Sequence, residues 1–309
     1  MVVFGGGAFM LHKTVGDRIF NVVNYILLSF ITFACLYPVL YVIFASVSDP
    51  IQLQAHRGFL YKPLGFTLAG YKAVFKDSDI MTGYANTIFY VVVGVAVNMV
   101  FTILGAYVLS RKNLFWKKAI MIIVTITMFF GGGLIPFYLL VKNLGMENTR
   151  LALIIPYALN TWNMIIMRTG FESVPGELEE AAKVDGADHF FILTRVILPL
   201  SKAVCAVILL YYVVGAWNSW FPAMIFLRER QKFPLQLMLR EILITNDTSQ
   251  MQQGISMTVS GSGQFGETTA YRELIKYTTI VISTVPIMCF YPFIQKYFVK
   301  GVYVGSLKG

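Results

Sequence analysis

Glu180-Ala181-Ala182-Lys183-Val184-Asp185-Gly186, followed after nine residues by Val196-Ile197-Leu198-Pro199, sits between two strongly apolar segments. Ser173 is a candidate N-cap, and Pro175 suits a first helical turn. Glu177, Glu179 and Glu180 place negative charge near the positive end of a helix dipole. A short helix from about Pro175 to Lys183 is therefore expected. Ala181 and Ala182 give it a low-profile face that another protein can approach closely, and Gly186 supplies the backbone freedom for a sharp turn. A second amphipathic stretch, His189 to Ile197, is expected to stop at Pro199, because proline disfavours helix at the residue before it. The pattern describes a helix-turn-helix lying on a membrane surface. Its acidic run forms a charged docking face for arginines or backbone donors of a partner.

The surroundings of this loop are those of an integral membrane protein. Hydrophobic residues make up 57% of the 309 and charged residues 13%, with a mean hydropathy of +0.66. A soluble chain of that composition would need an implausibly apolar surface. The net charge of +9 does not indicate nucleic acid, since the basic residues cluster beside hydrophobic segments, as membrane orientation requires. Met1 to Phe20 shows no secretory pattern with a cleavage site, and the apolar run after it is expected to be retained as a first span.

A bilayer crossing needs about 20 apolar residues. Six stretches qualify: about Val22 to Ser46, Thr87 to Leu109, Ala119 to Val141, Leu151 to Met167, Ala203 to Leu227 and Tyr277 to Phe298. Arg111, Lys112, Lys117 and Lys118 between the second and third stretches place that loop in the cytoplasm. Both termini and the loop from Arg168 to Lys202 follow it inside, while the segments from about Asp49 to Asn86 and from Arg228 to Lys276 face outward. Pro38, Gly131 to Gly133 with Pro136, Pro156, Pro222, Pro286 and Pro292 fall within spans, where they serve packing or act as hinges.

The chain has little chemistry of its own. It contains no phosphate-cradling G-x-x-x-x-G-K-[ST] loop, and no Asp or Glu lies inside a span to relay protons or hold sodium. Gly261 to Gly266 matches G-x-G-x-x-G literally, but without a strand before it the match reads as loop. Cys35, Cys205 and Cys289 share no short spacing and read as buried hydrophobes, while His12, His56 and His189 lie in separate polar segments. No metal site and no catalytic set is expected.

The spacing Glu-Ala-Ala, three residues, Gly, nine residues, Ile, one residue, Leu-Pro is the EAA signature of permease subunits in bacterial ABC importers. The loop resembles it at every position but Val196, where the signature has Ile. The resemblance implies an all-α polytopic membrane protein with the type I importer permease fold, six transmembrane helices and cytoplasmic termini. Residues 1–20 would be a cytoplasmic N-terminal segment, 21–299 the permease domain with its coupling loop at 168–202, and 300–309 a cytoplasmic tail. It further implies that the loop is a coupling helix seated in a cytoplasmic ATPase, with Glu177, Glu179, Glu180, Ala181, Ala182, Asp185, Gly186, Leu198 and Pro199 as the coupling residues. Leu144-Gly145-Met146-Glu147-Asn148-Thr149, Trp217-Asn218-Ser219-Trp220 with Pro222, and the ending Gly305-Ser306-Leu307-Lys308-Gly309 are similar to the second permease of maltose-type carbohydrate importers, especially an oligosaccharide subgroup of Gram-positive bacteria.

Such a subunit works beside a second permease, two ATPase subunits that bind ATP and Mg, and an extracellular solute-binding protein. It would itself bind no cofactor and catalyse no reaction. Alternating access is the implied mechanism, and Lys308 and Gly309 are candidate ATPase contacts. Trp217, Asn218 and Trp220 offer aromatic faces and an amide to a sugar, or else an interfacial belt and helix packing. Arg228, Arg230 and Lys232 at the outward mouth suit an acidic saccharide or an acidic binding protein. An importer for another solute, a self-sufficient carrier or channel, and a membrane-embedded enzyme are the competing readings.

Overall fold

The computed structural model describes residues 15–244 and 264–306; within the last helix, side-chain surroundings are described for 270–290 and 292. It is built from helices, and among the described residues the one β contact is an isolated bridge between Ser48 and Phe66. Helix α1 (Val15–Ser46) is followed by two short helices, α2 (Pro50–Ala55) and α3 (Ala69–Lys76). Helix α4 then runs unbroken over Ser78–Ser110, with a π turn at Tyr90–Gly94.

Among the described residues, three helices are long and apolar enough to cross a bilayer: α1, α4 and the Ala270–Phe290 part of the C-terminal helix. The number rises to five if each of two bent pairs forms one span. The stretch expected as a continuous third span is one of these pairs. It breaks into α5 (Lys117–Phe129) and α6 (Leu134–Asn143), set at 111°, across the glycine triplet whose Gly133 has φ +85°. The fourth expected span also departs from a simple crossing. Its first half forms two 3₁₀ turns, Arg150–Leu153 and Ile155–Tyr157, and α7 begins only at Thr161, running to Glu172. Pro156 cannot donate into a helix there, and Asn160 starts α7 by accepting the Asn163 N–H at 3.0 Å.

After α8 (Gly176–Val184) comes α9 (His189–Leu200), which meets α10 (Lys202–Trp217) at 87°. The fifth expected span thus ends at Trp217, and α11 (Phe221–Phe226) is a separate piece. Helix α12 occupies 235–244, and α13 (Gln264–Ser306) closes the chain, carrying Pro286 and Pro292 inside it.

The main core lies where α4, α7, α9 and α10 meet. Ala106, Met167, Phe171, Ile192, Ile197 and Ile208 are essentially closed to solvent there. Gly170 makes the α7–α10 approach possible, because a Cβ at that position would stand 2.6 Å from Val204. Helix α1 contrasts with this core, since none of its most apolar window is buried. It leans on α13 near its C-terminal end, where Tyr41 meets Tyr277 edge-on at 5.9 Å. Apolar side chains on an unburied helix are stable in hydrocarbon, as a membrane-embedded chain requires.

Candidate docking site

Helix α8 and the turn after it follow from local sequence. Pro175 stands in the N-cap position with ψ 128° and offers no side-chain cap. Ser173 is not the N-cap; it ends α7, and its hydroxyl donates back to the Gly170 carbonyl at 2.7 Å. At the far end Gly186 adopts φ +81°. Its N–H donates to Lys183 O at 3.0 Å, and the Ala187 N–H donates to Ala182 O at 2.9 Å. These two bonds form a Schellman closure, whose left-handed residue favours glycine. Asp188 then caps α9 by accepting the Phe191 N–H at 2.7 Å.

The acidic run divides in two. Glu179 turns inward to an ion pair with Arg111, the residue that follows α4, and to Lys183 at 2.9 Å. Burial alone would raise its pKa, but these two cations hold its carboxyl below the usual carboxylate range. The Arg111 guanidinium also lies 4.6 Å over the Tyr107 ring. The Tyr107 hydroxyl is in turn 3.1 Å from His189 Nδ1 at the start of α9. A second tie joins α7 to the same end, where Glu172 meets Lys117 at 3.0 Å and Arg168 at 2.8 Å. Glu177 and Glu180, in contrast, are exposed.

The two alanines divide likewise. Ala181 is exposed, whereas Ala182 packs on the core and is unavailable as an open face. Asp185 is exposed beside the turn. Helix α9 does not lie free on a surface: Ile192, Leu193 and Ile197 are buried in the main core, and Leu198 packs against it. Nor does the helix stop at Pro199. It passes through a π turn at Ile192–Ile197 and remains helical to Leu200; the π turn changes the hydrogen-bond partners ahead of the proline. Lys308 and Gly309 lie outside the described residues, as do Gly261 to Gly263, while Gln264 to Gly266 are helical and begin the last helix.

The other end of α4 carries a second polar cluster. Asn148, with φ +57°, accepts the Arg228 and Glu229 N–H groups on its Oδ1 at 3.1 and 3.2 Å and donates from Nδ2 to Glu229 at 2.7 Å. Asn86, buried in α4, donates to the carbonyls of Gln231 and Phe233 at 2.7 and 3.1 Å. These amides clamp the 228–233 segment, a role that the identities of Asn148 and Asn86 do not reveal without the fold.

The candidate path residues separate as well. Trp217 is 7% exposed, and its indole N–H donates to Ser283 O at 3.1 Å. It lines an otherwise apolar cavity of about 490 Å³ between α4, α10 and α13, so it presents no polar atom to a saccharide. Asn218 is exposed, although its amide already donates to Val214 O at 3.0 Å. Trp220 is half-buried beneath the Arg240 guanidinium, 4.2 Å from the ring centre. Arg228, Arg230 and Lys232 do not form an open positive mouth, because each is paired within the chain. Among the described residues no group of acidic, His or Cys side chains is placed to hold a metal ion.

Known proteins are similar to this chain in sequence and, in one case, in structure. Protein LplC of Bacillus subtilis (strain 168) is 38% identical over 299 residues, covering 97% of this chain and 98% of its own. The polygalacturonan/rhamnogalacturonan transport system permease protein YtcP of the same organism is 38% identical, with 95% and 99% covered. In the crystal structure of a bacterial ABC transporter involved in the import of the acidic polysaccharide alginate, one chain superimposes with a TM-score of 0.81 at 35% identity, over 92% of this chain and 98% of that one. Residues 1–304 match the model of the family described as binding-protein-dependent transport system inner membrane component. With its several apolar helices, this chain is a multi-pass membrane protein of that family, a permease with the type I ABC permease fold.

Proposed function

We propose that this chain forms half of the translocation pathway of an ATP-driven importer for acidic oligosaccharides, paired with a second permease and docked through α8 to one of two ATPase subunits. The observation that carries the docking assignment is the division of the acidic run. Glu179 is spent on holding α8 to α4, which leaves Glu177, Glu180 and Ala181 outward on a helix fixed to the bundle. A rigid exposed helix can pass on a movement that a free loop would absorb. The cargo assignment is supported by YtcP, named for polygalacturonan and rhamnogalacturonan, and by the alginate importer.

In this reading residues 21–299 make six spans, with both termini and the 168–202 loop in the cytoplasm and residues 300–309 reaching toward the ATPases. The chain binds no cofactor and catalyses no reaction; ATP and Mg belong to the ATPases, whose closure drives alternating access. A solute-binding protein delivers the sugar at the mouth beside Asn148. The test is purification from native membrane and reconstitution in liposomes. The second permease and the ATPase should accompany the chain, and Glu180→Lys should abolish import about a hundredfold while leaving membrane insertion intact. Import by the chain alone, or normal import by Glu180→Lys, defeats the reading.

A further inference from the structure

Five basic side chains stand in the segments 147–150 and 228–241: Arg150, Arg228, Arg230, Lys232 and Arg240. Three are neutralised at close range. Arg228 meets Glu147 at 2.6 Å, Arg230 meets Asp79 at 2.6 Å and Glu241 at 3.1 Å, and Lys232 meets Glu229 at 2.9 Å. Arg150 and Arg240 make none of the described ion pairs. Each lies over an aromatic ring instead, Arg150 at 4.8 Å from the Phe89 centre and Arg240 at 4.2 Å from that of Trp220.

Their remaining contacts are weak and neutral. Arg150 donates one N–H to Asn86 Oδ1 at 3.1 Å and also lies against the Tyr90 hydroxyl, and Arg240 donates one to Met224 Sδ at 3.2 Å. A guanidinium has five N–H donors, so each retains donors for a further acceptor. The aromatic ring desolvates one face and holds the plane, which leaves the donor edge pre-oriented. Leu153, in the same turn as Arg150, and Trp220, beneath Arg240, pack on one apolar cluster formed by Ala223, Leu227 and Leu237. The side chains beside both arginines therefore belong to one buried apolar cluster.

We propose that Arg150 and Arg240 are the carboxylate-recognition pair of this permease, receiving the uronate groups of an acidic oligosaccharide as it leaves the binding protein. A guanidinium fork fits a carboxylate through two parallel hydrogen bonds. The assignment rests on the acidic-oligosaccharide reading above and deepens it. An acidic patch on the binding protein would be a different occupant, but the ring-backed geometry favours a planar carboxylate presented singly over a broad field of charge, which paired Arg228, Arg230 and Lys232 no longer supply.

The test uses the whole importer in liposomes, with its ATPase and binding protein and with trigalacturonate as the probe. Arg150→Gln/Arg240→Gln should lower the import rate at saturating loaded binding protein about tenfold, with the Kd between binding protein and transporter unchanged. Arg150→Lys/Arg240→Lys, which keeps the charges but loses the forks, should recover part of that rate. Parallel loss of import and of binding-protein affinity would assign the pair to protein docking and overturn the proposal, as would an unchanged import rate. If the unaltered importer does not transport trigalacturonate at all, the acidic-cargo reading fails and this assignment fails with it. Normal import insensitive to both double variants defeats the assignment alone.

Discussion

The two ends of α4 solve the same packing problem with opposite residual charge. At Ser110 the chain uses Arg111 to neutralise Glu179, leaving Glu177 and Glu180 exposed. Near Asn86 it uses Glu147, Asp79, Glu241 and Glu229 to neutralise Arg228, Arg230 and Lys232, leaving Arg150 and Arg240 without an ion pair among the described residues. Charge that fixes a loop is unavailable to a partner, so counting charges by segment misjudges both faces. The informative residues are those left over once the internal pairs are removed.

The strongest way to break this contrast is to destroy the turn that presents the acidic end. Proline at Gly186 cannot adopt φ +81° and has no N–H for Lys183 O. Gly186→Pro should therefore abolish sugar import while the complex still inserts, measured by uptake in liposomes beside a protease map of the 168–202 loop. Unchanged uptake would show that the turn does not position the dock.

A smaller effect is expected from the tie itself. Arg111→Glu leaves two carboxylates facing each other at a partly buried site, costing about 1–3 kcal/mol, and import should fall roughly tenfold. Arg111→Glu/Glu179→Arg should recover much of it, and absence of recovery would separate the pair from coupling. The pH dependence has a definite sign. Because Glu179 has its folded carboxyl held below the ordinary range, the tie is complete above the unfolded value and is lost as pH falls through the lower folded one. Hydrogen exchange in α8 should accordingly rise in acid and remain flat around neutrality.

The mildest change probes the other end. Asn148→Ala removes three described hydrogen bonds around Glu229 and Arg228 and strains a left-handed backbone, a cost of about 1–2 kcal/mol. Exchange should quicken in the 228–233 segment while that in α8 stays as before. If α8 responds equally, the two ends are not separate units.

Much of this arrangement is legible in the sequence where a property is local. Apolar runs reveal α1 and α4, and the positive φ of Gly186 follows from its place after a short helix. Pairing is not local: Arg228 and Glu147 are 81 residues apart, and Arg230 and Asp79 are 151 apart. The breaks at 130–133 and 150–160 were obscured for another reason. Hydropathy measures whether a segment prefers lipid, but it does not say whether the segment is one helix, and Leu151–Met167 is apolar while being two 3₁₀ turns and half of α7. The pairing of Glu179 is hidden within its own helix, because three neighbouring glutamates look alike until Arg111 is brought beside one of them.

The continuity of α4 has a mechanical consequence. Its 33 residues span about 50 Å, and the hydrogen-bonded backbone resists shortening. A displacement imposed at Arg111 therefore reaches Asn86 as tilt or rotation of a stiff lever, whereas the broken segments α5–α6 and α9–α10 can fold at their joints. A stiff member among jointed ones suits the alternating-access reading, in which the two mouths of a pathway open out of phase.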